Sequence, residues 1–373
     1  MNRSTISLGR ILGIPIGVDY SWFLIFALLT WSLATSYYPA EFADWPIAQY
    51  WVMGAVTVIL MFASVLLHEL GHSVVAMRYK IPVRSIRLFI FGGVAQIGTE
   101  PPNAIAEFWI AIAGPITSFA LALFFGLLQL FIVELTPAMA LAKYLAYING
   151  TLALFNLIPG FPLDGGRVFR AIVWGSTHSL RKATLIAASL GRLIAYLFII
   201  LGVWQMFSGN LGNGLWIAFI GWFLESAASS QIQQQTIQDM LTGHRVADAM
   251  RRDYTTIRPE ISLEQLVNEY ILGSGRRSLV VEQDDRVVGL LTVHDIKKVQ
   301  RSDWPATTAA QVMIPVDQMK RIRPETELVD ALGDMDRDGV NQLPVMVGEQ
   351  IQGILGRDDV ISLLRNLGEF NRK

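Results

Sequence analysis

The sequence predicts a polytopic α-helical membrane domain of about six transmembrane helices followed by a soluble α+β domain, and three observations carry that expectation. Of its 373 residues, 52% are hydrophobic and only 16% are charged, against about a quarter charged in ordinary soluble proteins. The shortage is confined to residues 1–230, whereas 245–373 carry the charge of a soluble module. That second part also contains an internal repeat.

A segment that crosses the hydrocarbon core needs about 20 mostly apolar residues. Six stretches qualify, at 18–38, 50–77, 104–134, 140–158, 183–207 and 212–229. Basic residues cluster on one side of them. Arg3 and Arg10 precede the first stretch, Arg78, Lys80, Arg84 and Arg87 follow the second, and Arg167, Arg170, Arg181 and Lys182 follow the fourth. The loops on the other side, 39–49, 135–143 and 208–211, hold only Lys143. The positive-inside rule then places both termini in the cytoplasm. No cleavage-site pattern follows a short apolar core at the N-terminus, so no removable signal peptide is expected. The absence of cysteine excludes disulfides and thiolate metal ligands. The balanced charge, without a long basic run, gives nucleic-acid binding no support.

A polar, glutamine-rich linker at 231–244 separates the membrane domain, 1–230, from two repeats at 245–305 and 306–373. The repeat period is roughly 63 residues. Val246-Ala247-Asp248-Ala249-Met250 returns as Ala309-Ala310-Gln311-Val312-Met313, and Arg277-Ser278-Leu279-Val280-Val281 as Gln342-Leu343-Pro344-Val345-Met346. Val288-Gly289-Leu290-Leu291 returns as Gln352-Gly353-Ile354-Leu355.

The chemistry concentrates in His68-Glu69-Leu70-Gly71-His72, at the end of an uninterrupted apolar run from Val56 to Leu67. Histidines at i and i+4 share one face of a helix, one turn apart, as two metal ligands require. Glu69 is placed to take a proton from a metal-activated water without ligating. Ionisable groups inside a bilayer are costly, which makes them functional candidates. A catalytic zinc commonly takes three protein ligands, and Asp164 is the leading third, with Glu107 and Glu225 as rivals near water-accessible interfaces. Asp164 follows Asn156-Leu157-Ile158-Pro159-Gly160-Phe161-Pro162-Leu163, where two prolines break the helix, and Gly165-Gly166 permit a tight turn. The alternative for Asp164 is a helix cap.

Together these motifs resemble the site-2 protease family of intramembrane zinc metalloproteases, in the bacterial branch with six spans and C-terminal tandem CBS domains. The resemblance covers essentially the whole chain. It implies that His68, His72 and Asp164 bind one zinc ion, that Glu69 is the catalytic base, and that Asn156 helps hold substrate or oxyanion. It implies a re-entrant β-hairpin around Phe91-Gly92-Gly93-Val94-Ala95-Gln96, with Gly92 and Gly93 near the substrate. After Gly114-Pro115 the family usually has Asn where this chain has Ser118. Expected substrates are membrane-anchored proteins cleaved in or near their membrane segments, with helix-destabilising residues at the cut. The expected location is the bacterial inner membrane.

For the repeats, the resemblance implies adenine-nucleotide binding, regulation of the protease, and homodimerisation through the CBS domains. Thr292 and Asp295 in the first repeat match the ribose- and phosphate-holding motif, and Asp359 is its remnant in the second. Thr292 and Asp295 read equally as a plain helix start, and His294 as an exposed helix residue. A divalent-metal transporter or channel gated by the CBS pair is the competing reading of the whole.

Overall fold

The computed structural model describes residues 5–131, 137–273, 275–284 and 286–370. Arg3 and the end of the third apolar stretch therefore lie outside the described residues. The chain divides into two compact units, Met1–Gln235 and Thr236–Lys373.

The first unit opens with a hairpin that the sequence reading does not anticipate. Strands β1 (Thr5–Ile11) and β2 (Ile14–Asp19) pair antiparallel around Leu12-Gly13, both at positive φ, 52° and 81°. β2 then pairs in parallel with β3 (Val83–Phe89), which forms the expected glycine-rich hairpin with β4 (Gly92–Ile97). The sheet order is β1-β2-β3-β4, which leaves β4 as an edge strand. Ile14, Ile16 and Ile86 seal one face of it against Leu70.

The helices follow the apolar stretches. α1 (Ser21–Ser32) runs through a π-helical turn at Leu33–Tyr37 into α2 (Tyr38–Glu41). After it come α3 (Ile47–Arg78), α4 (Ala104–Phe131), α5 (Pro137–Asn156), α6 (Asp164–Thr177), α7 (Leu180–Phe207) and α8 (Leu211–Leu241). Among the described residues, Ser21–Glu41, Ile47–Arg78, Ala104–Gln129, Pro137–Asn156 and Leu180–Phe207 are long and apolar enough to cross a bilayer. The sixth expected stretch is the front of α8 and falls outside that set. Asn213 and Glu225 dilute it, and the helix continues without a break into the polar 229–238. Large apolar side chains such as Phe119, Leu154, Ile200 and Trp204 point outward from the bundle, a surface suited to lipid rather than water.

α3 is the spine of the unit. Its 32 residues extend about 48 Å, more than the hydrocarbon core of about 30 Å. Tyr50, Thr57, Ser64, His68 and His72 recur at helical spacing and are all buried, so the inner face of an otherwise apolar helix carries its polar groups. The helix closes where Lys80 takes a left-handed conformation, φ 61°. The amide of Ile81 donates to the Ala76 carbonyl and that of Lys80 to Met77, at 3.1 and 2.9 Å, satisfying terminal carbonyls and sending the chain into β3.

In the second unit, the first repeat builds α9 (Val246–Ala249), β5 (Thr256–Ile257), α10 (Leu263–Leu266), β6 (Ser278–Gln283), β7 (Arg286–Thr292) and α11 (Val293–Ile296). The second builds α12 (Ala309–Val312), β8 (Ile314–Pro315), α13 (Leu328–Asp338), β9 (Gln342–Val347), β10 (Gln350–Gly356) and α14 (Arg357–Phe370). Equivalent positions interlock. A Cβ on Gly289 would lie 2.6 Å from the sulfur of Met313, and one on Gly353 would lie 3.3 Å from that of Met250. Each repeat thus lends its methionine to the other's glycine. Val280, Leu290, Met346 and Ile354 form a core common to both.

Candidate metal centre

Three helices converge on one point. His68 and His72 come from α3, and their Nε2 atoms are 3.2 Å apart. Asp164 reaches in from the first turn of α6, with Oδ2 at 3.0 Å from His68 Nε2 and 3.2 Å from His72 Nε2. Atoms that share a tetrahedral zinc at about 2.0–2.1 Å stand about 3.3 Å from one another, so the three donors are spaced as ligands of one ion. The histidines are 4% exposed and the Asp164 side chain 15%, which shields the site while leaving the carboxylate side the more open.

The outer ring nitrogens fix which proton each imidazole carries. His72 Nδ1 lies 2.6 Å from the carbonyl oxygen of Ile110. A carbonyl only accepts, so Nδ1 bears the hydrogen and Nε2 presents a lone pair to the centre. His68 Nδ1 lies 2.8 Å from the Ser118 hydroxyl, which can accept from the same tautomer. Ser118, at the position where Asn is expected, therefore orients the His68 ring. Both partners belong to α4, which runs unbroken through Pro115.

α4 also makes the space. A Cβ added to Gly114 would stand 2.2 Å from His72 Nε2 and 2.6 Å from His68 Nε2, so only glycine leaves open the space beside both nitrogens. The donor set and the cradle both fit the ion.

Asp164 is not a helix cap. The cap position is Leu163, no side chain bonds the first amides, and the aspartate is the first residue of α6. Gly165 and Gly166 also act differently from expectation. They lie inside the helix, and a Cβ on either would come within 2.3 Å of backbone atoms in Leu157 and Gly160. Their smallness seats the irregular 157–163 segment rather than making a turn.

Neither rival carboxylate joins the cluster, and the expectation that Glu107 reaches water is overturned. Its side chain is 0% exposed and is held by Arg167 and Arg170, because those guanidiniums replace the water it would otherwise need. Glu225 engages Arg192, Tyr196 and Ser229. Asn156 closes α5, half-buried.

Glu69 is gripped by the sheet. The main-chain N–H of Ala95 donates to Glu69 Oε2 at 3.0 Å, and a Cβ on Gly93 would lie 2.7 Å from Glu69 Cγ. Gly92, at φ 128°, turns the strand into this contact. The edge of β4 and the carboxylate next to the metal cluster are thus in direct contact.

The model of peptidase family M50 matches residues 56–143 and 132–200, and that of the CBS domain matches 246–302 and 309–366. A Mycobacterium tuberculosis protein named as zinc metalloprotease Rip3 is 37% identical over 97% of this chain and 93% of its own length. The chain belongs to peptidase family M50. Two more relatives named as zinc metalloproteases are 34% identical in Synechocystis, over 97% of this chain and 96% of that protein, and 27% identical in Methanocaldococcus jannaschii, over the same shares. A solved site-2 protease from Methanocaldococcus jannaschii is 32% identical over 61% of this chain and 94% of its own, with a TM-score of 0.45.

This M50 peptidase is a zinc metalloprotease with a tandem CBS pair, which decides for an enzyme over a metal transporter. In the CBS pair, Thr292 and Asp295 form a capping box at the start of α11. The Thr292 hydroxyl donates to Asp295 Oδ2 at 2.6 Å, and Lys298 binds Oδ1 at 2.8 Å. Burial pushes the Asp295 carboxyl up, but the Lys298 and Thr292 bonds outweigh it and hold it below the usual carboxylate range. His294 is exposed. Asp359 accepts from the Gly356 amide at 2.8 Å and pairs with Arg251 at 2.9 Å. Arg251, Arg276 and Arg277 line a cleft with Asp253, Tyr254, Ser278 and Ile354, and pair in turn with Asp359, Asp253 and Asp358.

Proposed function

We propose that this M50 peptidase hydrolyses peptide bonds in or next to the membrane segments of anchored proteins, as a step of regulated intramembrane proteolysis. His68, His72 and Asp164 hold one zinc ion, and Glu69 is the catalytic base. The observation that carries the reading is the convergence of two Nε2 atoms and one carboxylate oxygen, spaced 3.0–3.2 Å, among helices long and apolar enough to span a bilayer.

Zinc in this site supplies Lewis acidity toward a carbonyl and a bound water acidic near neutral pH. The chain's own groups do the rest. Glu69 takes the proton of the attacking water and returns it to the leaving amine. Ser118 and the Ile110 carbonyl keep the imidazoles in the ligating tautomer. Asn156, at the end of α5, offers an amide N–H₂ to substrate or oxyanion. Gly92 and Gly93 let the edge of β4 approach Glu69, where an unwound substrate strand can pair with it. A peptide bond inside an intact helix is shielded by its own hydrogen bonds, so substrates carry small or helix-breaking residues at the cut.

The CBS pair binds an adenine nucleotide that regulates cleavage, through Thr292, Asp295 and Asp359. The protein resides in a bacterial inner membrane with both termini cytoplasmic and pairs through its CBS domains.

The test is cleavage of a purified single-span protein by wild type and Glu69→Gln. The substitution should lower turnover by about 10²–10⁴-fold, as for loss of a general base, with zinc content unchanged. Equal cleavage by both proteins would remove Glu69 from the mechanism.

A further inference from the structure

We propose that Glu107 is a positioning residue for the metal centre, locking the helix that carries Asp164 to the helix that holds both histidines from behind. The proposal rests on the zinc-ligand reading given above.

Glu107 stands in the first turn of α4 with no exposed side-chain surface. Arg167 meets it as a fork, Nε at 3.1 Å from Oε1 and Nη2 at 3.3 Å from Oε2, and Arg170 Nη2 lies 2.5 Å from Oε1. Both arginines are on α6, one and two turns after Asp164. A forked guanidinium–carboxylate pair fixes direction as well as distance, so the clamp sets how far α6 advances along α4. It acts together with the close seating of Gly165 and Gly166 against the backbone of Leu157 and Gly160.

The other half of the lock lies on α4. Glu107, Ile110, Gly114 and Ser118 are spaced three, four and four residues apart, which is one stripe of a helix. Ile110 holds His72, Ser118 holds His68, and Gly114 leaves room beside both Nε2 atoms. Asp164 stands on α6, and Glu107, on the same stripe, grips that helix through Arg167 and Arg170. A clamp between α4 and α6 therefore ties all three ligands to one ruler.

The experiment is a zinc-affinity cycle on the purified full-length protein, by chelator competition, using wild type, Glu107→Gln, Asp164→Ala and the double variant. Glu107→Gln should weaken zinc binding about tenfold or more, the range for an outer partner of a metal ligand. The same substitution should add nothing once Asp164 is alanine, because its effect passes through that residue. Equal losses in both backgrounds, or no loss at all, overturn the proposal while leaving the ligand reading intact. Full zinc affinity in Asp164→Ala overturns the ligand reading and the proposal with it. Should Glu107→Gln fail to fold, Arg167→Lys takes its place in the cycle under the same criteria, since it keeps the charge and loses the fork.

Discussion

In the first unit His68 meets Asp164 across 96 residues of sequence and Ser118 across 50. In the CBS unit Asp295 finds Thr292 and Lys298 three residues to either side. The two arrangements use the same chemistry, a carboxylate among donors, to different ends. Local pairing stabilises the start of a short helix and needs no further explanation. Convergence from three helices has no local benefit and requires ordering long intervening segments. Where buried polar groups assemble at that distance in an apolar bundle, the assembly itself points to chemistry.

Three substitutions can break or sharpen this contrast. Gly114→Ala should have the largest effect, because its Cβ would stand 2.2 Å from His72 Nε2. Zinc affinity should fall more than about 100-fold, beyond the range for an outer partner of a ligand. The fold should survive, since alanine is the better helix former by about 1 kcal/mol. Metal content and the unfolding midpoint measured together decide it, and normal zinc binding would show that the convergent atoms are not the ligand set. Gly93→Ala comes second. Its methyl group meets Glu69 Cγ at 2.7 Å, so kcat should drop about 10–100-fold through misplacement of the base, with zinc content unchanged.

Asp295→Asn should have the smallest effect and belongs to the local kind of site. The carboxyl is held below its ordinary range, so the unfolded chain takes up this proton at higher pH than the folded one. Its stabilisation is therefore complete above about pH 4 and lost as the pH falls further. Thermal unfolding across the acid range should show a shallower decline in the Asn variant. At neutral pH the two should differ by well under about 1 kcal/mol, as for a partly exposed ion pair.

The legible parts of the molecule were those written in short-range pattern. His68 and His72 follow from helical spacing, Asp164 from the prolines before it, and the CBS duplication from its recurring strands. Apolar length delimited the five helices that satisfy a bilayer's requirement, while the front of α8 shows how a few polar residues blur the same signal. The N-terminal sheet is not legible in the sequence, because β2 has β1 beside it but its other neighbour, β3, lies more than 60 positions later. Glu107 was misjudged for a related reason. Nothing near it in sequence announces Arg167 and Arg170, so a buried carboxylate looked like an interfacial one. Ser118 and Ile110 carry no motif of their own; a serine and a carbonyl became informative only when set against imidazole nitrogens.

The contact between Ala95 and Glu69 has a practical consequence for mutagenesis. Its donor is the main chain, which every residue except proline provides. Position 95 is already alanine, so an alanine scan of β4 leaves the N–H that holds Glu69 untested. Backbone changes, such as proline or an amide-to-ester replacement, are the probes that register it. At position 95 the contact is written in the polymer itself, whichever side chain the residue carries.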